Sequence, residues 1–136
     1  MGLMIDTSAL VALERSIEME QPLSLEASEI YALPAIVWAE ALIGVRLASN
    51  ASRAARRLAR LQAIRNLTGL EDFGPLVAEH YADIFTELSK QGMLIPQNDI
   101  AVAATAFARG FGVLVGPKDE AHFKRINGLE VRVLSA

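Results

Sequence analysis

The sequence predicts an α/β fold in three layers: a mostly parallel central sheet of four or five strands with helices on both faces. Three observations predict it. Short apolar runs such as Leu3-Met4-Ile5 and Val113-Leu114-Val115 have the length of strands buried on both sides. Longer stretches with apolar residues at three- and four-residue spacing lie between such runs, as amphipathic helices do. Strand and helix patterns then alternate, and that order implies parallel strands joined by helical crossovers. The 136 residues suit one domain spanning 1–136, without repeat, low-complexity tract or linker.

Taken in order, Leu3–Ile5 is a strand that stops at Asp6, and a helix follows through Arg15, capped by Asp6, Thr7 or Ser8. Glu18–Glu29 is polar and mixed, a loop or weak helix. Ile30–Leu33 is the second strand, ended by Pro34. A helix then runs from Ala35 to about Ala48, with Gly44 inside it. Ser52–Asn66 forms another, with Leu58, Leu61, Ile64 and Leu67 on its apolar side. Leu67–Phe73 offers a short strand. Pro75 opens an amphipathic helix carrying Leu76, Ala82, Ile84, Phe85 and Leu88, which Gly92 ends. Ile100–Arg109 is a nearly all-apolar helix closed by Gly110. Val113–Val115 is a buried strand, Gly116–Lys124 a polar segment, and Leu129–Leu134 alternates as an edge strand does.

Composition removes several function classes. With no cysteine, disulfides, thiolate metal sites and cysteine nucleophiles are excluded. No signal-peptide pattern opens the chain, and the most apolar stretches, 30–39 and 100–108, fall short of a membrane span. A soluble, cytoplasmic protein with no membrane partner is expected. The net charge of −3 hides a strong asymmetry. Residues 41–70 contain six arginines and no acid, which leaves −9 for the remainder. Such polarity suits an anionic polymer on one part and a metal on another.

Four acids stand where ordinary packing does not call for them. Asp6 lies at a strand exit, the edge where open α/β sheets bind ligands, although helix capping would also explain it. Glu40 is the only charge between Ala35 and Val45, and a buried carboxylate must be protonated, paired or bound to a cation. A solvent-facing turn or an arginine pair is its plain structural alternative. Asp99 opens an apolar helix, where capping by it or by Asn98 is again an alternative. Asp119 sits in a loop just beyond a strand, where acids are common. If the four converge, their repulsion calls for a hard divalent ion, and the fitting chemistry is metal-assisted phosphodiester hydrolysis. His80, on a helix, and His122, in a loop, read as structural or exposed. Gly110-Phe111-Gly112 lacks the context of a phosphate-binding loop, and Ser8 has no histidine pattern around it.

At these same residues the chain resembles the PIN-domain family, and within it the VapC-type toxins. Met4–Leu13, with Asp6-Thr7-Ser8, is similar to the family's first strand and acid. Leu33–Gly44, with Glu40, is similar to its second motif, and Ile95–Ala106, with Pro96-Gln97-Asn98-Asp99, to its third. The resemblance spans nearly the whole chain and implies a PIN-like fold. It implies that Asp6, Glu40 and Asp99 are ligands for magnesium or manganese, with Asp119 near the more variable fourth acid, all four being catalytic. Thr7 or Ser8 would orient Asp6. Many members carry Thr or Ser after the strand preceding the fourth acid, whereas here the segment is Gly116-Pro117-Lys118-Asp119. That departure bears on Asp119 and leaves the first three acids untouched.

The resemblance further implies an endoribonuclease acting on RNA, restrained by a cognate antitoxin protein in a type II toxin–antitoxin system and commonly a homodimer. Arg53, Arg56, Arg57 and Arg60 share a helix face by their spacing. With Arg46 they are candidates for contact with the RNA backbone or the antitoxin, a solvated or salt-bridged face being the alternative. Two other functions fit the same residues: a PIN nuclease of RNA maturation or decay without an antitoxin, and an inactive PIN-fold binding module. Retention of the core acids counts against the second.

Overall fold

The computed structural model describes residues 2–134. In chain order the elements are β1 (Gly2–Ile5), α1 (Thr7–Glu18), β2 (Ile30–Pro34), α2 (Ala35–Arg46), α3 (Ala51–Arg65) and β3 (Gly69–Glu71). Then come α4 (Pro75–Lys90), α5 (Gln97–Arg109), β4 (Gly112–Val115), α6 (Glu120–Lys124) and β5 (Val131–Val133). The strands form one five-stranded sheet in the order β3-β2-β1-β4-β5, and all four pairings are parallel. The expected α/β class holds, with a sheet parallel throughout rather than mostly so.

Successive strand residues point to opposite faces, so a strand buried at every position must be covered on both. All four residues of β1 and all four of β4 are buried. Register fixes the middle of the sheet: Leu3 lies opposite Tyr31 of β2 on one side and Gly112 of β4 on the other. Helix α5 is the most deeply placed helix, with every residue from Ile100 to Ala106 buried against strands and α4. Its alanines allow this close approach.

Boundaries moved in three informative places. Helix α5 begins at Gln97, three residues before the apolar pattern starts, which puts Asp99 inside the first turn. The polar stretch after β4 contains the five-residue helix α6, too short to show a period. It is pinned by Phe123, which is wholly buried. The apolar sides of α3 and α4 are also narrower than expected. Leu61, Ile64, Ile84 and Leu88 are buried, whereas Leu67 lies past the end of α3, Leu76 sits in the first turn of α4, and both are exposed.

An ion pair inside the helical layer binds α1 to α3. Arg57 Nε stands 3.1 Å from Oε1 of Glu14, a carboxylate that is itself buried. Losing one partner of such a pair strands the other charge, a cost of about 3–5 kcal/mol when both are fully buried and less here because Arg57 is partly exposed.

Truncation separates the buried leucines from the exposed one. Leu61→Ala and Leu88→Ala should each cost about 2–5 kcal/mol in urea unfolding. Leu67→Ala should cost under about 0.5 kcal/mol. Equal losses at Leu61 and Leu67 would contradict the burial described.

Candidate active site

Because the strands are parallel, their carboxyl ends line one edge of the sheet. The chain builds outward from β1 to β2 and β3, then returns to place β4 and β5 on the other side of β1. The crevice beyond β1 and β4 is thus a topological switch point, the usual ligand site of an open parallel sheet.

Asp6 is the first residue past β1 and is only 1% exposed. It is the N-cap of α1, its Oδ1 accepting the Ala9 N–H at 2.8 Å. Capping and a functional role are therefore compatible uses of one carboxylate. The Ser8 hydroxyl lies 2.9 Å from both Asp6 carboxylate oxygens, and its Oγ accepts the Gly116 N–H at 2.8 Å. This relay ties the exits of β1 and β4 together. A Cβ at Gly116 would stand 3.0 Å from Ser8 Oγ, so glycine is what lets the loop close on Ser8. The Asp6 carboxyl is pushed up to about 6, chiefly by burial, with the charges of Asp119 and Asp99 adding to it and the bonds from Ala9 and Ser8 opposing.

Asp99 is not a cap. Pro96 occupies the N-cap position of α5 without a side-chain bond, and Asn98, the other expected cap, makes none either. The Asp99 carboxylate instead meets His122 of α6, Oδ2 to Nδ1 at 2.9 Å. Its pKa is raised by burial, with Asp119 and Glu40 pushing the same way and His122 opposing. Glu40 is half-buried, neither stranded in the core nor on a solvent turn. Its Oε1 accepts the Thr7 hydroxyl at 2.9 Å. Thr7 thus holds Glu40 while Ser8 holds Asp6, so the expectation that either would orient Asp6 resolves to Ser8. Asp119 opens α6, makes no capping bond, and is near enough to act electrostatically on both Asp6 and Asp99.

All four acids belong to one electrostatic neighbourhood. Among the described residues, no group of three or more acidic or histidine side chains is gathered closely enough to hold a metal ion by itself. Magnesium asks for less than such a cage: it takes one or two carboxylates directly and keeps several waters. The donor chemistry fits it, since the oxygens are carboxylate and the like charges penalise one another until a cation neutralises them.

His122 is the residue that sequence reasoning missed. Only the fold of α6 brings it to Asp99, and the adjacent buried Phe123 was its one signal. His80 is structural, stacked on Phe107 with ring centroids 5.8 Å apart. A cavity of about 400 Å³ beside that stack contains none of the four acids. The arginines divide: Arg57 is committed to Glu14, while Arg53, Arg56 and Arg60 line a second cavity and Arg46 stays exposed outside it. Among the described residues no helix is long and apolar enough to cross a membrane.

Comparison with known proteins converges on this architecture. The PIN domain family model matches residues 3–129. Ribonuclease VapC1 of Rickettsia felis is 38% identical over 137 aligned positions, covering 100% of this chain and 98% of that protein. Ribonuclease VapC of Rickettsia bellii is 35% identical over 132 positions, covering 96% and 95%. Among solved structures, VapBC2 from Rickettsia felis, bound to a promoter DNA fragment, superposes with a TM-score of 0.81. The sequences there are 22% identical, with 99% of this chain and 100% of that one covered.

The raised Asp6 pKa predicts how metal-free stability depends on pH. Between about pH 4 and 6 the unfolded chain has already lost the Asp6 proton while the folded one retains it, so stability falls as pH rises through that window. Asp6→Asn keeps the cap and removes the charge. In chelator at pH 8 it should be more stable than the parent by about 2–3 kcal/mol, with the gain vanishing below pH 4. Urea unfolding at the two pH values checks this, and a destabilised Asp6→Asn at pH 8 would contradict it.

Proposed function

The chain belongs to the PIN domain family, and from that premise we propose that it is a divalent-metal-dependent endoribonuclease, the toxin of a type II toxin–antitoxin pair. The carrying observation is that Asp6, Asp99, Glu40 and Asp119 act on one another electrostatically at the switch-point edge of the sheet, Asp99 being influenced by Asp119 and Glu40, and Asp6 by Asp119 and Asp99. The names of the relatives, ribonucleases of the VapC type, point to RNA as the polymer cut.

In this reading Asp6 and Asp99 hold the ion most directly, with Glu40 and Asp119 completing the acidic set. Magnesium or manganese, when bound, supplies a hard Lewis acid that activates water and neutralises charge on the phosphodiester. The chain's own residues do the rest. Ser8 and the Ala9 N–H fix both oxygens of Asp6, Thr7 fixes Glu40, and His122 fixes Asp99, so the acids are oriented before substrate arrives.

Restraint by a cognate antitoxin follows from the same kinship, since similar solved structures are VapBC complexes. A feature of this chain supports it: Ala39, Ile43 and Leu47 form an exposed apolar row along α2, with Leu47 79% exposed. A partner helix is the natural cover for such a row. The reading carries with it a cytoplasmic site of action, a homodimer, and residues 1–136 acting as one domain.

Asp6→Asn and Asp99→Asn should each lower magnesium-dependent cleavage of single-stranded RNA by roughly 100-fold or more, since even outer-shell changes cost 10–100-fold. Both variants should unfold cooperatively, and chelation should silence the parent enzyme until magnesium or manganese is restored. Undiminished cleavage by both variants would overturn the assignment.

A further inference from the structure

The arginine-rich segment forms a built cavity. It has a volume of about 510 Å³ where the end of α1 meets α2 and α3, and Arg53, Arg56 and Arg60 line it with Gly44 and Ala48 of the α2 side. Arg57 forms a fixed wall, its guanidinium tied to Glu14 and laid against Gly44. A Cβ on Gly44 would collide with that guanidinium, so the glycine, unfavourable in a helix by about 1 kcal/mol, makes room for the wall.

The other three arginines have no carboxylate partner among the described residues. Arg56 donates only to the Ser52 hydroxyl, at 2.9 Å. The Arg53 and Arg60 guanidiniums make no hydrogen bond there, and Arg60 Nε is shut away from solvent with no acceptor. The one acid at the cavity, Glu18, is exposed and forms no ion pair with them. Three uncompensated guanidiniums around one space repel one another, and an anion relieves that. Their forked donors match phosphate oxygens in particular.

Position selects the ligand. Glu40 and Gly44 are four apart on α2, so they share one face about 6 Å apart along its axis, and Ala48, past the helix's end, lines the same cavity as Gly44. Together they lead from the acidic site to the arginines across two small residues. The neighbouring row, Ala39-Ile43-Leu47, is apolar and suits a protein partner, which leaves the charged cavity for a polyanion. We propose that this cavity is a subsite for a backbone phosphate of the RNA, lying beside the scissile position; the identity of the polymer rests on the nuclease reading above.

The test is binding of a fluorescent single-stranded oligoribonucleotide to the full chain in chelator, followed by anisotropy across a salt series. Arg53→Gln/Arg56→Gln changes only exposed residues and should fold as the parent does. It should flatten the slope of log K against log salt by about 0.7, the value for one lost phosphate contact on a single strand. Arg60→Gln, made separately, should flatten it by part of that same change of about 0.7, and Arg46→Gln, outside the cavity, by less than either. An unchanged slope in the double variant would overturn the subsite, as would an equal effect of Arg46→Gln. So would a double variant that binds RNA normally but no longer captures the cognate antitoxin, because the cavity would then serve the protein partner. Cleavage that survives Asp99→Asn would count against the nuclease reading instead and would leave this binding comparison standing.

Discussion

The cost of holding several carboxylates together at one edge of a dry sheet governs the rest of the molecule. Asp6 is almost wholly buried where β1 ends, and its carboxyl is pushed up to about 6. Desolvation is the larger cause, and the charges of Asp119 and Asp99 add to it. A fold under selection for stability alone would place an apolar residue or a neutral cap there. Keeping the acid means keeping a local instability of the kind that a bound cation would relieve under the proposed function.

The scaffold acts through short polar links between distant segments. Gly116 N–H to Ser8 Oγ to Asp6 joins the exits of two adjacent strands. Thr7 reaches across to Glu40 on α2, and His122 on α6 reaches Asp99 on α5. Each link gives a carboxylate oxygen a hydrogen-bond partner at 2.9 Å. The acids are thereby oriented yet still electrostatically demanding. By contrast Arg57 and Glu14 neutralise each other and fasten α1 to α3.

Much of this was legible in the residues. The apolar runs of β1 and β4 are readable because strands covered on both faces need no alternation, and Asp6 and Asp119 are readable as interruptions beyond them. Glu40 stood out because nothing else in its helix is charged until Arg46. What sequence could not supply was register between remote pieces. His122 meets Asp99 only because buried Phe123 pins a helix too short to show a period. Likewise four arginines on one helix face look equivalent until Glu14, far away in the chain, takes one of them. Start positions failed for a similar reason: an all-apolar pattern marks where α5 is covered, not where its backbone begins, so capping stood as an alternative for Asp99.

The most direct test of a carboxylate cluster organised for a cation is crystallography of the protein grown with manganese. An anomalous-scattering peak within coordination distance of the Asp6 and Asp99 carboxylates is the expected result. Well-ordered crystals with manganese bound elsewhere, or with no peak beside those two side chains, would contradict it.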